Sequence, residues 1–225
     1  MLATVPSATL VGVRGQAVQV EVHVGQGLPT FTLVGLPDAS CREARDRVRA
    51  AFASSGLKFP SSHRVTVNLA PTDVPKAGAG LDLPIAVALL VADEQLPAAA
   101  VDGLAFTAEL GLDGALRPVV GAVPLVDAMD GAVPVVAPDD LAEAATVRPE
   151  ARAVHHLAEL VAVLRGEAPW PVVDVPPLLP AVRHVPDLAD VRGHLLARQA
   201  LEVAAAGGHH LLLVGPPGAG KTMLA

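Results

Sequence analysis

Alternating apolar and polar positions dominate the first third of the chain. Residues 17–25 carry a valine at every second position, with Gln, Glu and His between them. A period of two places the valines on one face of a half-buried strand. The same pattern predicts strands at 30–37 and 63–71.

Helical patterns separate and follow these strands. Asp38 is well placed to cap a helix over 39–55, which Gly56 should end. Residues 81–95 are apolar nearly all round, which predicts a helix buried against a sheet.

Strands and helices continue to alternate further along the chain. Asp113-Gly114 is a strong hairpin signal within 106–119. The alternation predicts an α/β or α+β layer domain over residues 1–165. Further elements are expected as a helix at 121–130, a strand at 133–138, a helix at 139–146, and a strand followed by a helix within 151–166.

A proline-rich segment at 166–182 has little periodicity, which predicts an extended linker between two domains. Residues 183–225 then form the second part. A helix is expected to end at Gly207, and the apolar run 209–214 predicts a strand that leads into a glycine-rich loop.

Charge is distributed unevenly around the net value of −7. Residues 1–80 hold eight Lys/Arg against five Asp/Glu, whereas residues 81–170 hold four against fourteen. Only the first stretch could therefore offer a basic face to nucleic acid. With four Phe, one Trp and no Tyr, aromatic stacking platforms for bases are expected to be scarce.

Cysteine content and hydropathy indicate the cellular compartment in which the protein is expected to work. The lone Cys41 excludes an intrachain disulfide and is expected to be a small buried residue. No signal peptide or 18-residue apolar span is evident, which predicts a cytoplasmic protein without a membrane partner.

The loop after the 209–214 run matches the pattern G-x-x-x-x-G-K-[ST]. This pattern, between a predicted strand and a helix, predicts a phosphate-binding loop for ATP with Mg²⁺. Lys221 would reach the β- and γ-phosphates and the Thr222 hydroxyl would bind the metal ion. No catalytic residue is expected in the 225 residues, because the acidic residue that polarises water normally lies downstream of the loop. The expected nucleotide-binding residues are Gly215, Pro216, Pro217, Gly218, Ala219, Gly220, Lys221 and Thr222.

Several long blocks, in order, resemble one family. The segments FTLVGLPDASCREARDRVRAAFASSGLKFP, RVTVNLAPTDVPKAGAGLDLPIAVALL and DLADVRG through GPPGAGKTMLA resemble YifB/ComM-type magnesium-chelatase-like AAA+ proteins. The resemblance implies a Lon-protease-like (ribosomal S5-like) α+β domain over 1–165 and the start of a AAA+ domain over 183–225. It also implies a homo-hexameric ring ATPase, with branched or single-stranded DNA as partner and branch migration during natural transformation as its role.

The Lon-like resemblance raises the question of peptidase activity. In Lon-type peptidases a Ser lies in the loop that corresponds to residues 75–80, which here reads PKAGAG. The catalytic Lys would follow residue 121, where this chain has AVPL. Without nucleophile and base the chain is predicted not to be a peptidase. Lys76 itself is expected to be an exposed loop residue.

Arg42, Arg45 and Arg49 share one face of the predicted 39–55 helix. They are either phosphate contacts for DNA or a solvated face paired with neighbouring carboxylates, and the sequence leaves both open. Val191 is a candidate for contact with adenine, or else lies in a helix start capped by Asp187 or Asp190.

The sequence supports three functions. The first is an ATP-driven DNA motor, and the second is a chelatase-type remodelling ATPase, whose motor subunits resemble this chain only from about Asp187 onward. The third is an interaction module if the chain ends at Ala225. Ala225 is expected not to be the natural terminus, because the run 209–214 would be left as an unpaired edge.

The adjacent pairs His155-His156 and His209-His210 are expected to be structural, since neighbouring strand residues face opposite sides.

Overall fold

The structure is a computed structural model that describes residues 1–174 and 187–224. The chain divides into two compact units, residues 1–178 and 179–225. Strands and helices mix in the first unit, so the predicted α/β class is confirmed.

The first unit contains a four-stranded sheet in the order β1-β2-β4-β3. β2 pairs antiparallel with both β1 and β4, whereas β3 pairs parallel with β4. Because β2 and β4 are in register, their alternate apolar residues line one buried face, as the period of two predicted. The strands of this sheet are β1 (Leu2–Val11), β2 (Arg14–Gly25), β3 (Thr30–Val34) and β4 (Arg64–Ala70).

Two helices pack against this sheet in the first hydrophobic core. α1 (Ala39–Ser54) begins after Asp38, whose carboxylate accepts a hydrogen bond from the Cys41 N–H at 2.7 Å. Every residue of α2 (Asp82–Ala92) is buried, which confirms the predicted all-round apolar helix. Cys41 is a buried free thiol, also as expected.

The rest of the first unit contributes both to the first core and to a second, smaller one. A parallel sheet in the order β5-β8-β9 packs against two short helices, and β6 and β7 form the hairpin predicted at Asp113-Gly114. The elements are β5 (Leu104–Phe106), β6 (Glu109–Leu110), β7 (Leu116–Arg117), α3 (Ala122–Asp127), β8 (Val133–Val136), α4 (Leu141–Val147), β9 (Arg152–Ala153) and α5 (Leu157–Leu164).

Part of the predicted linker is attached to the first unit. Trp170 packs on the first core and lies under the Arg152 guanidinium, 4.6 Å from it, and Val173 packs on the second core. The first unit therefore extends at least nine residues beyond the predicted boundary at 165. Residues 175–182 of the predicted linker lie outside the described residues.

The second unit is small. Its described residues form α6 (Leu195–Gly207) and the short helix α7 (Lys221–Leu224), preceded by a 3-10 turn at Leu188–Asp190. α6 ends at Gly207, as predicted, and the Gly208 that caps it has φ = +62°, a left-handed conformation that glycine adopts without strain.

Candidate functional site

The phosphate-loop motif folds as a turn that leads directly into α7. Gly218 and Gly220 have φ values of +81° and +75°. A side chain at either position would strain the backbone, so the glycines of the motif are the residues that permit this curl.

The loop has the donors that an anion requires. The Lys221 ammonium donates to the carbonyl oxygens of Gly215 and Pro216 at 2.7 and 2.8 Å. The N–H groups of Gly218, Gly220 and Thr222 donate to no other described residue. A phosphate could therefore accept from these groups and from Lys221 without breaking a backbone ladder.

The segment that precedes the loop differs from the prediction. Residues 209–214 are not a strand, and Leu212 and Val214 are more than 80% exposed. A strand needs a hydrogen-bonding neighbour, and the described part of the second unit contains none. The prediction of a strand was therefore wrong for the 225 residues.

The start of the second unit supports the capping alternative for Asp187. Its carboxylate accepts from the Ala189 N–H at 2.8 Å and caps the 3-10 turn, while α6 begins only at Leu195. Val191 is buried, and its carbonyl accepts from Arg198 at 3.3 Å. A contact between Val191 and adenine stays a prediction.

A cavity of about 310 Å³ lies in the first unit beside the loop that resembles the Lon active site. Residues 77–81 form one wall, residues 118–120 form another, and Glu109 supplies a carboxylate. No Ser, Cys or Lys side chain lines it. The lining offers no nucleophile and base of the kind that a Ser–Lys peptidase uses.

Lys76 is not the exposed residue that the sequence predicted. It is fully buried, and its ammonium donates to the Pro71 carbonyl oxygen. Burial lowers the pKa of Lys76. Its backbone bonds to Leu36 and Asp38, so the loop is fixed against the start of α1, which draws the side chain inward.

Asp38 fixes the same loop from the other side. One carboxylate oxygen accepts from Cys41 and the other from the Gly78 N–H at 3.0 Å. Burial opposes ionisation, but these two hydrogen bonds hold the pKa of Asp38 below its ordinary value. The helix cap is therefore also the anchor of the loop.

The arginines of α1 divide into two kinds. Arg42, Arg45 and Arg49 are exposed, and no carboxylate oxygen of a described residue lies within 4.0 Å of their nitrogens. Arg47 instead donates to both carboxylate oxygens of the buried Asp82, at 2.6 and 3.0 Å. The pairing alternative thus holds for Arg47, whereas the three predicted DNA contacts form no salt bridge with a described carboxylate. Arg42 nevertheless lies near Asp38, whose pKa its charge helps to lower, and it donates to the Pro37 carbonyl oxygen at 2.9 Å.

The adjacent histidine pairs were expected to have structural roles. No group of three or more potential ligands occurs among the described residues. His156 accepts the Ala158 N–H at 3.1 Å and caps α5, a structural role.

A mixed α/β domain followed by a phosphate loop defines the class of protein. Two family models match the chain: subunit ChlI of Mg-chelatase over residues 20–138, and magnesium chelatase, subunit ChlI, over residues 187–225. The chain belongs to the magnesium chelatase ChlI family and is a YifB/ComM-type AAA+ protein.

Curated relatives are similar along the whole chain. Uncharacterized protein YifB of Escherichia coli (strain K12) is 45% identical over 231 residues, which cover 100% of this chain and 44% of that protein. Competence protein ComM of Haemophilus influenzae is 42% identical, covering 100% and 45%. An uncharacterized protein of Mycobacterium tuberculosis (strain H37Rv) is 44% identical, covering 97% and 44%. The chain thus spans less than half the length of these relatives.

Among the described residues no helix is both long and apolar enough to cross a membrane.

Proposed function

We propose that residues 215–222 bind the phosphates of ATP with Mg²⁺, and that the full-length gene product is an ATP-driven DNA motor. The observation that carries the first part is the donor set of the loop: three N–H groups that donate to no described residue, together with the Lys221 ammonium. Thr222 is exposed next to Lys221 and would supply a hydroxyl to the metal ion. When bound, Mg²⁺ neutralises charge on the phosphate oxygens.

The ammonium of Lys221 must exchange its partners for this role. It now donates to two carbonyl oxygens of its own loop. A phosphate offers a charged acceptor in place of neutral ones, and charge-assisted hydrogen bonds are the stronger kind. Lys221→Ala should therefore weaken ATP binding by roughly tenfold or more.

Binding of a fluorescent ATP analogue to the full-length gene product tests this prediction. Lys58→Ala is the matched control, because it removes an exposed lysine from the first unit and should leave affinity unchanged. Chelation of Mg²⁺ should weaken binding to the wild type. Equal affinity in the Lys221→Ala and Lys58→Ala variants would rule out the loop as the phosphate site.

DNA as the partner is supported by the similarity to the competence protein ComM and by the basic character of residues 1–80. Branched DNA should stimulate ATP hydrolysis by the full-length gene product several-fold over hydrolysis without DNA. ATP hydrolysis that DNA leaves unchanged would count against a DNA motor.

A remodelling ATPase of the chelatase type is the second candidate. It is favoured by the ChlI family models, which match residues 20–138 as well as 187–225. The resemblance to chelatase subunits therefore extends into the first unit, where it was expected only from Asp187 onward. ATP hydrolysis that responds to a protein partner and not to DNA would support this candidate.

A further inference from the structure

Three of the four phenylalanines of the chain gather at one end of α1. Phe59 meets the buried Phe52 edge to face, with ring centroids 5.7 Å apart, and stacks with Phe31 at 6.3 Å and 26°. Phe31 and Phe59 are only partly buried, and both pack on the first core. The scarce aromatic residues thus form a supported platform with accessible ring surface.

Two of the exposed arginines lie beside this platform. Arg45 and Arg49 line a cleft of about 150 Å³ that the start of β3 and residues 59–65 complete. Thr30, Ser61 and His63 add hydroxyl and imidazole groups to its wall. Hydrogen-bond donors and aromatic carbon therefore face the same small space.

The cleft contains no carboxylate. Asp46 lies four residues after Arg42 and three before Arg49, so it shares their side of the helix, but its carboxylate forms no salt bridge with either arginine. Other cavities of the first unit differ, since Glu109 lines one of them and Asp102 and Asp130 line another. An anion in this cleft would meet two arginines that form no salt bridge with a described carboxylate.

Size restricts the ligand. Sites for cofactors and other small molecules usually enclose at least about 300 Å³, and this cleft has about half of that. It can hold one phosphate or one base of a longer molecule. Arg42 continues the arginine row, which runs for about 10 Å along the helix at 1.5 Å per residue, so the surface matches an extended anionic chain.

We propose that this cleft, lined by Arg45, Arg49, Phe31 and Phe59, binds single-stranded nucleic acid. The arginines hold successive phosphates, and a base stacks on the accessible ring surface of the phenylalanine pair. A duplex fits less well because its bases are already stacked on one another. The inference rests on the proposed DNA partner and assigns that partner a site in the first unit.

Fluorescence anisotropy with labelled oligothymidylate and the 225-residue chain tests the proposal. Arg45→Ala/Arg49→Ala should weaken binding at least tenfold and should reduce the slope of log affinity against log salt by about 0.7 for each phosphate that is no longer neutralised. Arg14→Ala/Arg165→Ala removes two other exposed arginines and is the matched control. Equal reductions of affinity in the two double variants would overturn the site.

Loss of a stacking residue should change oligothymidylate binding in a different way from loss of an arginine. Phe59→Leu should weaken oligothymidylate binding by about fivefold or more with the salt slope unchanged. If this variant does not show the circular dichroism spectrum of the folded chain, Phe31→Leu takes its place. Binding that neither phenylalanine variant weakens, and for which polyglutamate competes as well as the oligonucleotide, would show a general surface for acidic proteins and would overturn the proposal.

Failure of this proposal can be separated from failure of the proposed function. Unchanged affinity in all cleft variants, with DNA still bound, would exclude the cleft and leave the DNA partner in place. No binding of oligothymidylate by the wild-type chain at low salt would refute the cleft, while DNA-stimulated ATP hydrolysis by the full-length gene product would still test the motor independently.

Discussion

The buried ion pair between Arg47 and Asp82 allows a quantitative test of the fold. Asp82 is fully buried at the start of α2, and Arg47 on α1 donates to both of its oxygens. The Leu110 N–H, at 3.3 Å, is a further donor to the carboxylate. Arg47→Met keeps most of the side-chain volume but leaves this carboxylate with one weak neutral donor.

The size of the destabilisation follows from the protonation of the Asp82 carboxyl group. Burial raises the pKa of Asp82 even with Arg47 in place. Without the arginine, the folded variant should hold Asp82 protonated. Neutralising a carboxyl group with an unfolded pKa of about 3.9 costs about 4 kcal/mol at pH 7 and about 2 kcal/mol at pH 5.5. This range agrees with the destabilisation of about 3–5 kcal/mol usual for a broken buried pair.

Urea unfolding followed by circular dichroism at both pH values measures this difference. Arg47→Met should be destabilised by about 2 kcal/mol more at pH 7 than at pH 5.5. Arg45→Met, on the same helix but exposed and without a bound carboxylate, should stay within about 0.5 kcal/mol of the wild type. Arg47→Met/Asp82→Asn should recover most of the stability, because no charge is then left buried.

The reasoning would be refuted by a destabilisation of Arg47→Met that is the same at both pH values, since poorer packing alone has no proton linkage. It would also be refuted if the double variant were less stable than Arg47→Met at pH 7. Either result would mean that the carboxylate of Asp82 is solvated or bonded in another way.

Three further predictions concern single residues. Burial raises the pKa of Asp140 to about 6. Its protonation therefore stabilises the fold by up to about 3 kcal/mol below about pH 4, and this contribution is lost as the pH rises through 6. Asp140→Asn should remove this part of the pH dependence of urea unfolding. Gly35 has φ = +100°, and a Cβ there would clash with the Leu69 carbonyl oxygen. Gly35→Ala should therefore lower the free energy of unfolding, measured by thermal unfolding, by roughly 2 kcal/mol or more. The control Gly56→Ala, where the space is open, should lower it by about 1 kcal/mol. Asp38→Ala removes a helix cap and should cost about 1–2 kcal/mol; a protease cut within residues 71–80 should appear sooner in this variant than in the wild type.

Local patterns predicted most elements because they depend on neighbours in sequence. The valines of β2 fix its buried face by alternation alone, and Asp38 caps α1 through an N–H three residues away. The Asp113-Gly114 hairpin and the all-apolar α2 are local in the same sense.

Some features could not be predicted from the sequence because they depend on residues that are distant along the chain. Residues 2–11 contain Pro6 and lack a clear alternation, yet β1 forms there because β2 offers a complete antiparallel neighbour. Lys76 is a charged residue in a glycine-rich loop, yet it is buried because its backbone bonds to residues 36 and 38 and its ammonium donates to the Pro71 carbonyl oxygen. Conversely, residues 209–214 have the composition of a strand but no neighbour among the described residues to pair with.

The sequence by itself determined the phosphate-loop motif and the arginine row, because both depend on residue types at fixed spacing along one short segment. Tertiary structure alone decided which arginine is bound by a buried carboxylate, and it brought Phe31 to Phe59 beside Arg45 and Arg49. The physical reason is that a helix face follows from a period of 3.6 residues, whereas the groups that meet it come from strands tens of residues away whose register only the folded sheet fixes.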